Sequence, residues 1–220
     1  YQDFMSDLEA LFKFIGVKLG QTAVSYRSTN VDIMPAWERL TMRAVWQKYL
    51  GVDLSGLLER EALKNYAASL GFTTAPSDAY EDIFFKIFLN KIEPQLGFER
   101  PLFIYDYPAV LTSLSRPCQT DPRYAERVEC YIAGLELCNG FGELTDPVVQ
   151  KQQLERDQAL RAKLGKPTWP VDPEFIKALE SGMPEAAGVA LGIDRVVLLF
   201  TGARDINEVI FNSVYDQLQN

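Results

Sequence analysis

Gly188-Val189-Ala190-Leu191-Gly192-Ile193-Asp194-Arg195-Val196-Val197-Leu198-Leu199 is the stretch around which the chain is organised. It predicts a short apolar strand that passes through glycine into a helix, with Asp194 and Arg195 at the junction. Glycine has no Cβ, so a flat ligand can approach the backbone of Gly192 closely. The arginine one helical step later can stack on such a ligand or hold phosphate oxygens, because its guanidinium is planar and always charged. Taken alone, a buried strand–turn–helix whose arginine reaches water is the commoner explanation.

The composition indicates a folded chain with one domain, or one and a half. Of its 220 residues, 47% are hydrophobic and 24% are charged, which is enough to bury a core and argues against disorder. The net charge of -8 disfavours general binding to nucleic-acid phosphates, and without histidine there is no histidine acid–base chemistry or metal ligation. The three cysteines lack CxxC spacing, which favours a reducing compartment, so we expect the cytoplasm. No apolar run reaches the length of a membrane span.

The first part of the chain, residues 1–100, is predicted to be mainly helical. Apolar side chains recur at helical spacing over residues 3–20. Pro35 is well placed at the start of a further helix, which we predict to include residues 37–46. The first residue is Tyr1 rather than methionine, so we expect the chain to be a fragment of a longer protein.

The second part, residues 101–220, is predicted to contain the sheet. Aromatic and β-branched residues predict a strand over 102–108, and alternating residues predict another over 127–137. Asn139-Gly140 is a strong signal for a turn or kink, and a polar helix is predicted over 150–164. The strands cluster without a regular βαβ rhythm and are flanked by helices. The fold class is therefore predicted to be α+β, with helices around an antiparallel sheet.

Two glutamates interrupt an otherwise apolar strand between Gly134 and Asp146. A carboxylate at a buried strand position is costly unless it meets a cation or hydrogen-bond donors. Glu136 and Glu143 lie seven residues apart, which places them on opposite faces of an ideal strand. A bulge or bend at Asn139-Gly140 would return both to one face. There they would suit a divalent cation beside a nucleotide, or an ammonium group; the alternative is that one or both face water at a sheet edge.

Together the two stretches resemble the catalytic domain of class II aminoacyl-tRNA synthetases, in the lysyl-tRNA synthetase branch. The resemblance lies in Glu136-Leu137-Cys138-Asn139-Gly140-Phe141-Gly142-Glu143-Leu144 and in Gly188-Val189-Ala190-Leu191-Gly192-Ile193-Asp194-Arg195, which is similar to class II motif 3. Within this branch, Gly142-Glu143-Leu144-Thr145-Asp146, Met183-Pro184 and Tyr105-Asp106-Tyr107-Pro108 most resemble the paralogue that lysylates elongation factor P. The resemblance implies that residues 1–220 are the C-terminal part of a class II catalytic core.

The same resemblance implies binding sites for ATP, Mg²⁺ and a lysine-like amino acid. The ATP site would be lined by Glu136, Leu137, Gly192 and Arg195. Arg195 would be the catalytic residue, stacking on adenine and reaching the terminal phosphates. The amino-acid pocket would be lined by Asn139, Phe141, Glu143 and Ala190. Glu143 would face the amino groups, and Glu136 and Glu143 would hold Mg²⁺.

Ala190 stands where lysyl-tRNA synthetases have glycine. One additional methyl group changes the binding energy of a pocket by about 1 kcal/mol. The resemblance of this position to the paralogue favours β-lysine as the substrate.

The implied activity is the ATP-dependent activation of lysine or β-lysine as an adenylate, followed by transfer to a lysine of elongation factor P. One alternative is a lysyl-tRNA synthetase that charges tRNA, and another is an inactive, synthetase-like binding module. Neither motif 1 nor motif 2 is found in the chain. We therefore expect the fragment alone to be inactive or nearly so, and its full-length parent to be an active homodimer.

Overall fold

A computed structural model describes residues 1–211 of the chain. The α-helices are α1 (Gln2–Leu19), α2 (Met42–Leu50), α3 (Arg60–Ser69), α4 (Tyr80–Ile87), α5 (Pro147–Lys163), α6 (Pro173–Glu180) and α7 (Ile193–Thr201). The strands are β1 (Ala23–Tyr26), β2 (Thr29–Asp32), β3 (Glu38–Thr41), β4 (Leu102–Pro108), β5 (Tyr124–Ile132), β6 (Leu135–Gly142) and β7 (Ala187–Leu191). Within this range, no helix combines the length and the apolar character needed to cross a membrane.

The central sheet of the described chain has five strands in the order β3-β4-β5-β6-β7. Strands β4 to β7 pair antiparallel with their neighbours, and β3 adds a parallel strand at one edge. Strands β1 and β2 form a separate antiparallel hairpin. The prediction of an α+β fold with an antiparallel sheet flanked by helices is confirmed, and the parallel edge strand is an addition to it.

Apolar side chains on both faces of the sheet pack against helices. On one face, Ile104 of β4 belongs to a buried cluster with Trp46 and other residues of α2, α3 and α4. On the opposite face, Phe103 belongs to a second cluster with Phe12 of α1 and Phe200 of α7. Removing these side chains from water is the main force that holds the helices on the sheet. Because successive strand residues point to opposite faces, neighbours in β4 serve different clusters.

The predicted helix at residues 37–46 is wrong in its first half. Residues Glu38 to Thr41 form β3 and pair in parallel with Leu102 to Tyr105. Helix α2 begins only at Met42, where the Thr41 hydroxyl accepts a hydrogen bond from the Ala44 backbone N–H at 3.1 Å. The threonine side chain satisfies a backbone donor that the first helical turn leaves unpaired, which fixes the start of the helix there.

The turn predicted at Asn139-Gly140 lies elsewhere. Ala133 and Gly134 connect β5 to β6 with φ angles of 51° and 76°. Asn139 and Gly140 lie inside β6, where they pair with Glu129 and Val128 of β5. The single strand predicted over 127–137 is therefore the end of one strand, a tight turn and the start of the next. Gly134 adopts the positive φ that this turn needs at little cost.

Candidate active site

A β-bulge in β6 brings the two glutamates to one face of the sheet. Tyr131 of β5 pairs with Glu136 and Cys130 pairs with Cys138, so Leu137 is an extra residue without a partner. The extra residue makes the seven-residue spacing behave as an even one, and Glu136 and Glu143 fall on the same face. The predicted bulge therefore exists, but it lies at Leu137 rather than at Asn139-Gly140.

Most of the residues predicted to line an amino-acid pocket share this face. Asn139 and Phe141 follow the alternation that leads to Glu143, and Asn139 pairs with Ala190 across the boundary with β7. Gly188 pairs with Phe141. A Cβ built on Gly188 would lie only 2.6 Å from Glu143 Oε1, so the carboxylate occupies the space that this glycine leaves open.

The strand-to-helix junction after β7 lies against the start of β6. The Gly192 backbone N–H donates to the Leu137 carbonyl oxygen at 2.9 Å. Arg195 Nη1 donates to the Glu136 carbonyl oxygen at 2.5 Å and lies 3.9 Å from Glu136 Oε2. A Cβ on Gly192 would make ordinary van der Waals contact with Arg195 Cδ at 3.4 Å, so the arginine stem covers the backbone at this glycine. The four residues predicted to line an ATP site are therefore neighbours.

The Leu137 side chain lies away from this face. It is buried in the apolar cluster shared with α1 and α7. Leu137 thus contributes its carbonyl oxygen to the junction, and its side chain contributes to the core. The side chains of Glu136 and Arg195 keep 36% and 43% of their surface exposed, so both are open to a ligand.

The surroundings of Glu136 and Glu143 destabilise the ionised form of each carboxylate. Burial raises the pKa of Glu136 above its ordinary value of 4.5, and the negative charge of Glu129 raises that pKa further, against the opposite effects of Arg195 and Arg127. Burial also raises the pKa of Glu143. Each carboxylate is therefore less stable in its ionised form than it would be in water. A cation bound beside either carboxylate would stabilise its ionised form.

The carboxylate beside Arg195 suits a magnesium ion that a substrate would help to hold. Within residues 1–211, no group of three or more histidine, cysteine, aspartate or glutamate side chains is arranged to hold a metal ion. Mg²⁺ is commonly held by one or two carboxylates together with substrate phosphates. Glu136, which lies beside Arg195, matches that mode of binding. Glu143 follows seven residues later on the extended strand, which at roughly 3.3 Å per residue places it about 20 Å away. The structure therefore does not bring together the two carboxylates predicted to hold Mg²⁺.

A buried ionic network on the same face was missed by the sequence analysis. Arg127 Nη2 donates to Glu129 Oε1 at 2.7 Å. The Tyr107 and Tyr131 hydroxyls donate to Glu129 Oε2 at 2.6 and 2.7 Å. Arg127 Nε also donates to Asn139 Oδ1 at 3.2 Å. The available signal was an arginine and a glutamate two residues apart, and so on one face of β5.

The sequence matches a known family over nearly its whole length. Residues 1–213 match the family model described as tRNA synthetases class II (D, K and N). The lysine–tRNA ligase of Moorella thermoacetica is 37% identical over 211 residues, which cover 96% of this chain and 43% of that protein.

Two further relatives carry a different name. The elongation factor P–(R)-beta-lysine ligase of Proteus mirabilis is 41% identical over 183 residues, covering 82% of this chain and 56% of the relative. That of Photorhabdus laumondii is 44% identical over 181 residues, covering 80% of this chain and 55% of the relative. The chain thus spans about half the length of the relatives it matches. On its sequence and its fold, this chain belongs to the class II tRNA synthetases of the D, K and N type.

Proposed function

We propose that the protein carrying this chain activates lysine or β-lysine with ATP and transfers it to a lysine of elongation factor P. The observation that carries the proposal is the common face of Glu136, Asn139, Phe141 and Glu143, with Arg195 bound at its edge. An acidic face suits a cationic amino acid, and an adjacent exposed arginine suits a nucleotide. The names of two relatives, which are elongation factor P ligases, support this acceptor.

The proposed reaction has two steps. An oxygen of the amino-acid carboxylate first attacks the α-phosphorus of ATP, and pyrophosphate leaves. The ε-amine of the acceptor lysine then attacks the carbonyl carbon of the adenylate and loses a proton, and AMP leaves. The family uses ATP and a divalent metal, which when bound neutralises phosphate charge. The protein contributes mainly by positioning the reactants and stabilising charge.

The individual roles follow from the chemistry of each side chain. Glu143 holds an amino group of the substrate, and Asn139 and Phe141 line the pocket beside it. Arg195 stacks on adenine and holds the terminal phosphates. Glu136, beside Arg195, lies between the two substrates and would hold Mg²⁺ together with the ATP phosphates. Because acceptor and substrate belong to translation, we place this reaction in the cytoplasm.

Two small residues shape the ligand pockets. Gly192 leaves room for adenine against the backbone near the Leu137 carbonyl oxygen. Ala190 adds a methyl group opposite Asn139, and we propose that it adapts the pocket to β-lysine. ATP–pyrophosphate exchange with α-lysine and with β-lysine tests this choice. A clear preference of the full-length protein for α-lysine would contradict it.

Charging of tRNA is the second candidate. It is favoured by the lysine–tRNA ligases of Moorella thermoacetica and Pelotomaculum thermopropionicum, which are 37% and 35% identical over 96% of this chain. The deciding experiment supplies the full-length protein with ATP, labelled amino acid and either elongation factor P or tRNA. Label on elongation factor P supports the first candidate, and label on tRNA supports the second. Label on neither, without pyrophosphate exchange, indicates an inactive binding module.

We also propose that these 220 residues are one part of a catalytic domain and do not complete the reaction alone. Motif 2, which would supply the arginine for the α-phosphate, is not found in them. Pyrophosphate exchange by the isolated chain is expected to be far slower than by the full-length protein, and equal rates would refute this. We further propose that the full-length protein is a homodimer, which light scattering can test.

A further inference from the structure

Arg127 is held rigidly between two aromatic rings on the face that carries the candidate site. Its guanidinium lies 4.7 Å from the Tyr107 ring centroid and 6.0 Å from the Phe141 ring centroid. Its three nitrogens donate to Asn139 Oδ1, to Glu129 Oε1 and, at 3.4 Å, to the Leu111 carbonyl oxygen. Its side chain is only 13% exposed. Arg127 is thus committed to the protein and is not available to hold a substrate.

The contact with Arg127 determines which way the Asn139 amide faces. A guanidinium has only N–H donors, so the amide atom that faces Arg127 Nε must be the oxygen. The Asn139 NH₂ group is consequently turned away from Arg127. It carries two donors, and within residues 1–211 neither has a hydrogen-bond acceptor.

The free NH₂ group lies among the residues of the candidate pocket. Asn139 pairs with Ala190 and shares its face with Glu136 and Glu143. These carboxylates present acceptors to a ligand, and Asn139 presents donors. A zwitterionic amino acid needs both, because its ammonium groups donate and its carboxylate oxygens accept.

We infer that Arg127 is a positioning residue for substrate recognition: it orients the Asn139 amide so that its NH₂ group donates to the carboxylate of the bound amino acid. The inference rests on the proposed function for the identity of the ligand. Glu129 neutralises Arg127, and the Tyr107 and Tyr131 hydroxyls hold Glu129 in turn. The buried network therefore holds a single amide in one orientation, through Arg127.

A double-mutant cycle in the full-length protein tests the inference. Arg127→Lys keeps a positive charge beside Glu129 but loses the planar fork that reaches Glu129 and Asn139 together. We expect this variant, and Asn139→Ala, each to raise the KM for the amino acid about 10- to 100-fold in pyrophosphate exchange. The KM for ATP should not change. The double variant should be no worse than the poorer single one, because both remove the same interaction.

Asn139→Asp supplies a matched control. It keeps an oxygen for Arg127 and replaces the donor by an acceptor, so we expect amino-acid affinity at least as poor as that of Asn139→Ala. Retained affinity would overturn the inference, and so would multiplying effects of the two single variants. If Arg127→Lys folds poorly, Arg127→Gln combined with Glu129→Gln removes both buried charges and takes its place in the cycle.

A readout without activity separates this inference from the proposed function. With ¹⁵N-asparagine labelling, the Asn139 side-chain NH₂ signals are identified by their loss in Asn139→Ala. We expect these signals to shift or broaden in Arg127→Lys, because the amide is no longer held. Unchanged signals would overturn the inference. A wild-type protein that activates neither lysine nor β-lysine would contradict the proposed function, and the NMR comparison would still decide the orientation.

Discussion

Gly188→Ala tests the role proposed for Glu143 without substituting Glu143 itself. The new Cβ would lie 2.6 Å from Glu143 Oε1, and the only other atom of the described structure within 4 Å of it, outside its chain neighbours, is Glu143 Cδ at 3.8 Å. The flexible carboxylate must move away, and the backbone can stay. A hydrogen bond between charged groups contributes about 1.5–3 kcal/mol. We therefore expect the KM for lysine or β-lysine in pyrophosphate exchange by the full-length protein to rise about 10- to 150-fold.

The free energy of unfolding of Gly188→Ala should change by less than about 1 kcal/mol, as for substitutions that displace a partly exposed side chain. Gly16→Ala is the matched control, because its Cβ would lie 2.6 Å from the Gln21 carbonyl oxygen in the packing around α1. It should lower the melting temperature and leave the KM for the amino acid unchanged. A folded Gly188→Ala protein with the wild-type KM would refute the placement of Glu143 beside the substrate.

Three further outcomes are expected. Arg195→Ala should raise the KM for ATP about 10- to 100-fold through the loss of charged hydrogen bonds. Arg39→Ala is the control, since the Arg39 side chain is 36% exposed, and it should leave the KM for ATP unchanged. Equal effects of the two variants in an ATP titration would contradict the role of Arg195. Glu136→Gln should have a larger free energy of unfolding than wild type at pH 7, because the ionised carboxylate of wild type is poorly solvated. This difference should shrink as the pH falls through the raised pKa of Glu136 toward 4.5, because the carboxyl is then protonated. A constant difference in denaturant melts from pH 4.5 to 7 would be inconsistent with this. Trp46→Ala removes a fully buried ring that packs 5.2 Å from Phe84, centroid to centroid, and should cost about 3–5 kcal/mol in urea unfolding; a cost below about 1 kcal/mol would contradict its place in the core.

Local sequence patterns were sufficient to predict elements whose own residues favour one secondary structure. Helix α1 follows from apolar spacing, and β4 follows from a run of aromatic and β-branched residues. Local patterns failed where a distant partner decided. Glu38 to Thr41 form a strand because β4 lies beside them, and nothing within the segment indicates that pairing.

The residues of the candidate site also divide into those that local patterns predict and those that depend on distant partners. The acidic strand and the glycine-rich junction were predicted from their residue types, together with a resemblance to class II synthetases. Arg127 and Glu129 were missed, because their importance lies in contacts with Tyr107 and Asn139 on other strands. An ion pair inside a sheet is recognisable only when the strand register is known.

The sequence by itself determined the family and the α+β class, and it predicted Glu136, Glu143 and Arg195 as members of the candidate site. Only the tertiary structure decided that the chain turns at Ala133-Gly134, that Leu137 is the bulged residue, and that Glu136 and Glu143 therefore face the same way. The physical reason is that side chains alternate along a strand. One extra residue reverses the face of everything beyond it, and only pairing with β5 reveals where that residue lies.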